Sequence, residues 1–340
     1  MSGHAEAATQ PLLRRIEPQD RWRLVLALAG VLALASLSLF IGVGEVSLAA
    51  LLRGGEEAQA ALLLSTSRLP RTLSLVLAGA ALSIAGLVMQ MIARNRFVEP
   101  STAGTVESAS FGILVSTLLL PGLPVIGKML VAAGCALIGT LLFLQVLRRV
   151  AWHSILVVPL VGLMLGGVID SVTVFLAYRY ELLQSLAAWN TGDFSSVLQG
   201  RYELLWIAFA LASAAYLIAD RLTVVGLGEA IATSLGVNHR RVVALGLLVV
   251  AMITAVTVTT VGMIPFLGLI VPNLVSMAVG DNARRSIPWV AIAGAGFVLL
   301  CDMAGRLVRY PYEIPAGTIA GVIGCAVFLF LLLRPGARHG

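Results

Sequence analysis

The sequence predicts an all-α membrane protein, a polytopic bundle of ten transmembrane helices. Hydrophobic residues make up 59% of the 340 residues and charged residues only 12%, whereas a soluble domain is about half apolar and a quarter charged. The apolar residues form long continuous runs, which are typical of membrane-spanning helices and not of the alternating strands of a barrel. The net charge of +6 is attributed to basic loops and not to nucleic-acid binding.

Ten apolar stretches are the candidate spans, and most approach the ~20 residues needed to cross the hydrocarbon core. Two of them are weak, because the third contains Glu107 and the eighth is short and carries Pro272 and Asn273. The ten stretches lie at 24–43, 72–93, 103–120, 129–147, 155–178, 204–219, 242–264, 266–279, 287–305 and 314–333.

The distribution of basic residues predicts the orientation of these spans. If the N-terminus is cytoplasmic, fifteen of the 23 Lys and Arg residues fall on the cytoplasmic side and eight on the other. This bias agrees with the positive-inside rule. The sequence therefore predicts a cytoplasmic N-terminal segment at 1–23 and a ten-helix domain at 24–334. A cytoplasmic segment at 220–241 interrupts that domain, and a cytoplasmic tail follows at 335–340.

The stretch "RNRFVEPSTAG" at 94–104 is unusually polar for its surroundings. Pro100 stops helix propagation and favours extended geometry at the residue before it. Ser101 and Thr102 are residue types that cap the N-terminus of a following helix. We therefore expect a tight cytoplasmic turn between the second and third spans.

Several kinds of chemistry are missing from the sequence. There is no P-loop motif, so we expect no ATP site in this chain, and there is no zinc-protease motif or Cys/His cluster that would indicate a metal site or another cofactor. No nucleophile–base pair at a plausible spacing indicates an intramembrane enzyme. Glu107, Asp170 and Asp302 are acids within spans, and for Asp170 and Asp302, which lie toward the outer ends of their spans, structural hydrogen bonding or an interface role is preferred over ion coupling. A proton-coupled carrier remains the alternative that they would support.

Four stretches together resemble the FecCD-type permeases, which are membrane subunits of ABC importers for iron–siderophore complexes, haem and cobalamin. The resemblance implies the type II ABC importer fold, with ten helices per subunit in the bacterial inner membrane and both termini cytoplasmic. It also implies a second membrane subunit, identical or paralogous, two cytoplasmic ATP-binding subunits and an extracytoplasmic binding protein. The stretches are "RLPR…ESASFG" at 68–112, "VGLGEAIATSLGVNHRR" at 225–241, "VGMIPFLG…RRSIP" at 261–288 and "EIPAGTIAG…LLLR" at 313–334.

The same resemblance assigns a docking role to three arginines. In this family, arginines at the start of the second span and after the ninth span meet acidic residues of the binding protein. The matching positions here are Arg68, Arg71 and Arg306. Guanidinium groups suit this task because they are permanently charged and bind carboxylates through two hydrogen bonds. The alternative is that they only anchor helix ends at the membrane interface.

A second set of matching residues lies in the stretch between the sixth and seventh spans. It is too polar to cross the membrane, it contains good helix formers, and a glycine stands where such a helix would end. The resemblance makes it the coupling helix that docks on the ATPase, against the alternative of an ordinary amphipathic connector. The matching residues are Gly226, Gly228, Glu229, Leu235 and Gly236.

The cytoplasmic gate of the family matches the loop between the fourth and fifth spans. Ser154 is the nearest matching position and His153 is its neighbour, although Trp152 and His153 depart from the small polar residues of relatives. The sequence of residues 94–112 is similar to that of the corresponding stretch in permeases for iron–siderophores, including catecholate types. The expected cargo is therefore an iron(III)–siderophore complex, with cobalamin or haem as alternatives within the family.

Overall fold

The computed structural model describes residues 18–41, 62, 64–147, 149 and 157–333, and all regular secondary structure in them is helical. Thirteen α-helices account for most of these residues, joined by loops and short π- and 3₁₀-helical turns. The helices are α1 (Pro18–Phe40), α2 (Leu69–Ala93), α3 (Thr105–Leu119), α4 (Val125–Leu147), α5 (Val157–Arg179), α6 (Leu183–Trp189), α7 (Leu205–Leu217), α8 (Ala219–Gly226), α9 (Glu229–Ser234), α10 (His239–Val261), α11 (Leu267–Val279), α12 (Ala283–Val308) and α13 (Ala316–Leu333).

Each of the ten apolar stretches coincides with one helix, and three further helices, α6, α8 and α9, are short. Among the described residues, six helices are long and apolar enough to cross a membrane: α1, α2, α4, α5, α10 and α12. A seventh crossing results if α7 and α8, which are bent by 68° at their junction, count as one broken span. Helices α3, α11 and α13 are apolar but shorter. Length and composition thus support six or seven crossings, and ten crossings remain a prediction.

Helix α2 is the centre of the bundle. In its most apolar stretch, 83% of the residues are buried within the chain, against 6% in the corresponding stretch of the peripheral helix α1. Two close approaches explain how neighbouring helices surround it. A Cβ atom added to Gly86 would lie 2.1 Å from the carbonyl oxygen of Gly268 in α11, and one added to Gly79 would lie 2.6 Å from that of Gly294 in α12. Glycine permits these backbone contacts because it has no side chain. In lipid the hydrophobic effect does not drive helices together, so such close van der Waals packing stabilises their association.

The polar stretch between α2 and α3 forms a turn, as predicted, and much of this turn is buried. Asn95 and residues 97–100 are buried, while Arg94 and Arg96 remain exposed. The predicted capping of α3 by Ser101 and Thr102 is wrong, because α3 has no side-chain cap and begins after Gly104. Ser101 instead donates to the carboxylate of Glu99. Burial of the stretch is possible because distant residues also pair with its polar groups: the N–H of Phe266 donates to Glu99, and Asn273 donates to the carbonyl of Arg96.

Candidate functional site

The arginine cluster comprises Arg68, Arg71, Asp302, Arg306 and Glu313, at the end of the bundle where α2 begins and α12 ends. Asp302 and Arg306 are four residues apart on α12 and therefore share one face of that helix. Glu313 lies in the loop between α12 and α13, which folds back so that the N–H of Ile314 donates to the carbonyl of Gly305.

Asp302 lies between the guanidinium groups of Arg71 and Arg306. Its Oδ1 accepts from Nε and Nη2 of Arg71, at 3.1 and 2.7 Å, and its Oδ2 lies 2.5 Å from Nη2 of Arg306. The remaining Nη1 of Arg71 donates to Oε2 of Glu313 at 2.7 Å. Buried charges of this kind are stable only when they are paired, and here two cations alternate with two anions.

The same arginines also hold the end of α1. Nη1 of Arg68 donates to the carbonyl oxygen of Leu39 at 2.7 Å, and Nη1 of Arg306 donates to that of Ser38 at 3.0 Å and to that of Ile41. The last carbonyls of a helix have no partner within the helix and carry partial negative charge, so cationic donors stabilise them. Helix α1 is therefore attached to the bundle by hydrogen bonds where its apolar packing is sparse.

The three predicted docking residues differ in how much of each side chain is exposed to solvent. The side chain of Arg71 is 13% exposed and that of Arg306 only 5%, while Asp302 is 1% and Glu313 27% exposed. Arg68 is half-buried. Arg68 and Arg71 thus have part of their surface accessible, and Arg306 would reach a partner only after residues 38–41 move. The sequence predicted structural hydrogen bonding or an interface role for Asp302, with ion coupling as the alternative, but it did not predict the pairing of Asp302 with the two arginines and gave no role to Glu313.

The predicted coupling segment lies at the other end of α2. Gly228, whose φ is +112°, packs against the guanidinium of Arg94, the residue that follows α2; a Cβ atom there would lie 3.2 Å from Cζ of that arginine. Since α2 has 25 residues, its rise separates the coupling segment from the arginine cluster by about 37 Å.

Helix α9 begins at Glu229 as expected and ends as the sequence predicts. Gly236 has φ +76° and donates to the carbonyl of Thr233, while Val237 donates to that of Ala232. This pair of hydrogen bonds is the Schellman arrangement that terminates helices at a glycine. Glu229 is exposed, as are the apolar side chains of Ile231 and Leu235, at 46% and 58%. Gly226 closes α8, one turn before α9. The segment thus presents an apolar surface on short, sharply capped helices.

His153 and Ser154, the predicted gate residues, lie outside the residues that the structure describes. A groove that the sequence reasoning did not identify lies between the loops before α7 and α11 and the first half of α13, with a volume of about 530 Å³. No charged residue lines it in the described part of the chain. Its wall includes Thr191, Met263, Pro265, Gly317, Gly321 and Cys325.

Comparison with known proteins places these features in a family context. The sequence profile of the FecCD transport family matches residues 27–334. The petrobactin import system permease protein YclN of Bacillus subtilis (strain 168) is 47% identical over 304 residues, which cover 89% of this chain and 96% of that protein. The petrobactin import system permease protein FatD of Bacillus anthracis is 42% identical over 310 residues, covering 91% and 90% of the two chains.

A solved structure is similar over nearly the same extent. It is a metal-chelate type ABC transporter in an inward-facing conformation, with a TM-score of 0.76 and 26% sequence identity. The alignment covers 93% of this chain and 99% of that one. The structural similarity therefore extends over nearly all of both chains. The residues matched by the family profile include both ends of α2, where the arginine cluster and the coupling segment lie.

Proposed function

The chain belongs to the FecCD transport family, and from this membership we propose that it is the membrane permease subunit of an ABC importer for iron(III)–siderophore complexes. The observation that carries the proposal is the full-length identity of 47% and 42% to two permeases that are named for petrobactin import. We infer that petrobactin or a chemically similar siderophore is the cargo. The described lining of the groove carries no charge, which suits a cargo that must be released again, since no fixed charge would retain it there.

We propose that the importer contains two membrane subunits, two cytoplasmic ATP-binding subunits and an extracytoplasmic binding protein. The chain itself is a transporter subunit, like its relatives. The exposed Ile231 and Leu235 support a partner surface at α9, because apolar side chains outside the lipid are stabilised by burial against another protein. We propose that Gly226, Gly228, Glu229, Leu235 and Gly236 form this contact with the ATPase.

At the other end, we propose that the arginine cluster faces the binding protein. Arg68 and Arg71 would make the direct contacts, and Arg306 would join them only in a conformation in which the end of α1 has moved. The charges support this role, since three arginines and two acids give the cluster a net charge of +1. The proposed orientation places both termini in the cytoplasm and the chain in the bacterial inner membrane with ten crossings. We retain His153 and Ser154 as the proposed gate.

Reconstitution in proteoliposomes tests the proposed function. The permease, its ATP-binding subunits and its binding protein are incorporated together, and the uptake of iron-labelled petrobactin is followed. We expect uptake that requires ATP and the binding protein, and that stops when the P-loop lysine of the ATPase is replaced. Uptake by the permease alone, driven by a pH gradient, would instead identify a secondary carrier.

A further inference from the structure

The arrangement of Asp302 restricts how Arg71 can meet a partner. Oδ1 of Asp302 accepts hydrogen bonds from both Nε and Nη2 of Arg71. The third nitrogen of the guanidinium, Nη1, is directed toward Glu313. A guanidinium is planar, so fixing two of its nitrogens fixes the direction of the third. Asp302 is 1% exposed and cannot itself contact a docking protein.

Asp302 also determines whether two cations can lie together. Arg71 and Arg306 bind opposite oxygens of this one carboxylate, so their charges are held within a few ångströms of each other. Without the carboxylate, the two guanidinium groups would repel each other in a poorly solvated site and would move apart. The side chain that defines the arrangement of the arginines is therefore an acid.

Glu313 has a different position in the same cluster. It lies on the more accessible side, with 27% of its side chain exposed, and its Oε2 lies 2.7 Å from Nη1 of Arg71. Of the two ion pairs that Arg71 makes among the described residues, the one with Glu313 is the more accessible, since Asp302 is 1% exposed, and its geometry is that of a charge-assisted hydrogen bond. A carboxylate arriving from outside would have to occupy this same place.

We propose that Asp302 is a positioning residue for docking of the binding protein, and that Glu313 occupies the place which a carboxylate of the binding protein takes on docking. The inference rests on the proposed docking role of the cluster. Asp302 holds Arg71 and Arg306 together and directs Nη1 of Arg71 outward, and Glu313 satisfies this nitrogen until the partner arrives. The two acids therefore have opposite effects on docking affinity.

The test measures the affinity of the purified, fluorescently labelled binding protein of the same import system. Its partner is the complete permease–ATPase complex in nanodiscs, studied over a series of salt concentrations. For Asp302→Asn we expect affinity to fall about tenfold or more, because Arg71 and Arg306 would move apart and no longer present both charges to the same partner surface. For Glu313→Gln we expect affinity to rise a few-fold, because the amide competes less well for Nη1 of Arg71. For Arg71→Ala we expect a loss comparable to that of Asp302→Asn.

A double-mutant comparison separates positioning from a general effect on folding. If Asp302 acts through the arginines, Asp302→Asn should cost no further affinity in an Arg71→Ala/Arg306→Ala background. A further loss of the same size there would overturn the proposal, as would wild-type affinity for Asp302→Asn beside a weakened Arg71→Ala variant. Wild-type affinity for Arg71→Ala would instead overturn the docking role itself. If Asp302→Asn fails to fold, unchanged or weaker affinity of Glu313→Gln still overturns the inference.

Discussion

The carboxylate of Glu99 accepts a hydrogen bond of 3.0 Å from the backbone N–H of Phe266, which lies 167 residues further along the chain. Phe266 precedes α11 and has φ +62°, a left-handed conformation that is unusual for an aromatic residue. The ring of Phe266 also stacks on that of Phe328 in α13, with centroids 6.2 Å apart. A buried acid of one loop thus stabilises the start of a distant helix and a strained backbone beside it.

Replacing Glu99 should therefore destabilise the bundle. In Glu99→Ala the N–H of Phe266 loses its acceptor in a buried site, which should cost about 1–3 kcal/mol of folding stability. Thermal unfolding of the purified protein in detergent measures this loss. The exposed Glu229 provides the matched control, since Glu229→Ala should leave the midpoint unchanged. Equal midpoints for both variants would show that the Glu99 contact contributes nothing.

The close approach of α2 and α11 gives a second prediction. A methyl group at Gly86 would overlap the backbone of Gly268, so Gly86→Ala should cost about 3 kcal/mol or more, or prevent accumulation of the folded protein. At Gly134 an added Cβ meets nothing within 4 Å, so Gly134→Ala should be neutral. Comparison of expression and thermal midpoint for the two variants checks the crossing. Similar behaviour of both would mean that the helices do not touch at Gly86.

The proposed coupling surface makes a third prediction. Leu235→Asp places a charge on an exposed apolar side chain and should weaken assembly with the ATPase by about 1–3 kcal/mol, while leaving membrane insertion intact. Co-purification of the ATP-binding subunit and ATPase activity stimulated by the binding protein report this loss. Leu119→Asp is the control, because Leu119 is 74% exposed at the opposite end of the bundle. An ATPase complex that tolerates Leu235→Asp as well as Leu119→Asp argues against docking at α9.

The orientation makes a fourth prediction. With Cys135, Cys301 and Cys325 replaced, a single cysteine at Ala230 should react with a membrane-impermeant thiol reagent only after the cells are opened. A single cysteine at Leu120, which is 51% exposed in the loop after α3, should react in intact cells. The reverse pattern would invert the proposed topology, and labelling of both from outside would exclude the ten-crossing arrangement.

The helices were predictable because long apolar runs indicate them directly. Each predicted stretch coincides with a helix, and Gly236 ends α9 as its conformational freedom suggested. The short helices α6 and α8 were missed because they are too brief to produce a periodic pattern. The burial of residues 97–100 was not predicted, because the hydrogen bond that Glu99 accepts from the N–H of Phe266 joins distant parts of the chain.

The arginine cluster was predictable only in part. Asp302 and Arg306 are four residues apart, a spacing that indicates a possible ion pair on a helix. The partnership of Arg71 with Asp302 joins residues separated by 231 positions, and no local pattern encodes such a contact. The burial of Arg306 could not be foreseen either, because it depends on where the end of α1 lies.

Helix α2 has a mechanical consequence for transport. No proline interrupts it beyond its first turn, and it runs unbroken from the residues beside Arg71 to those beside Gly228. An uninterrupted helix behaves as a stiff rod. A tilt of ~10° about its midpoint would displace its two ends by about 3 Å in opposite directions, given its length of about 37 Å. A movement imposed at one face of the membrane would then appear at the other without any change in the helix itself.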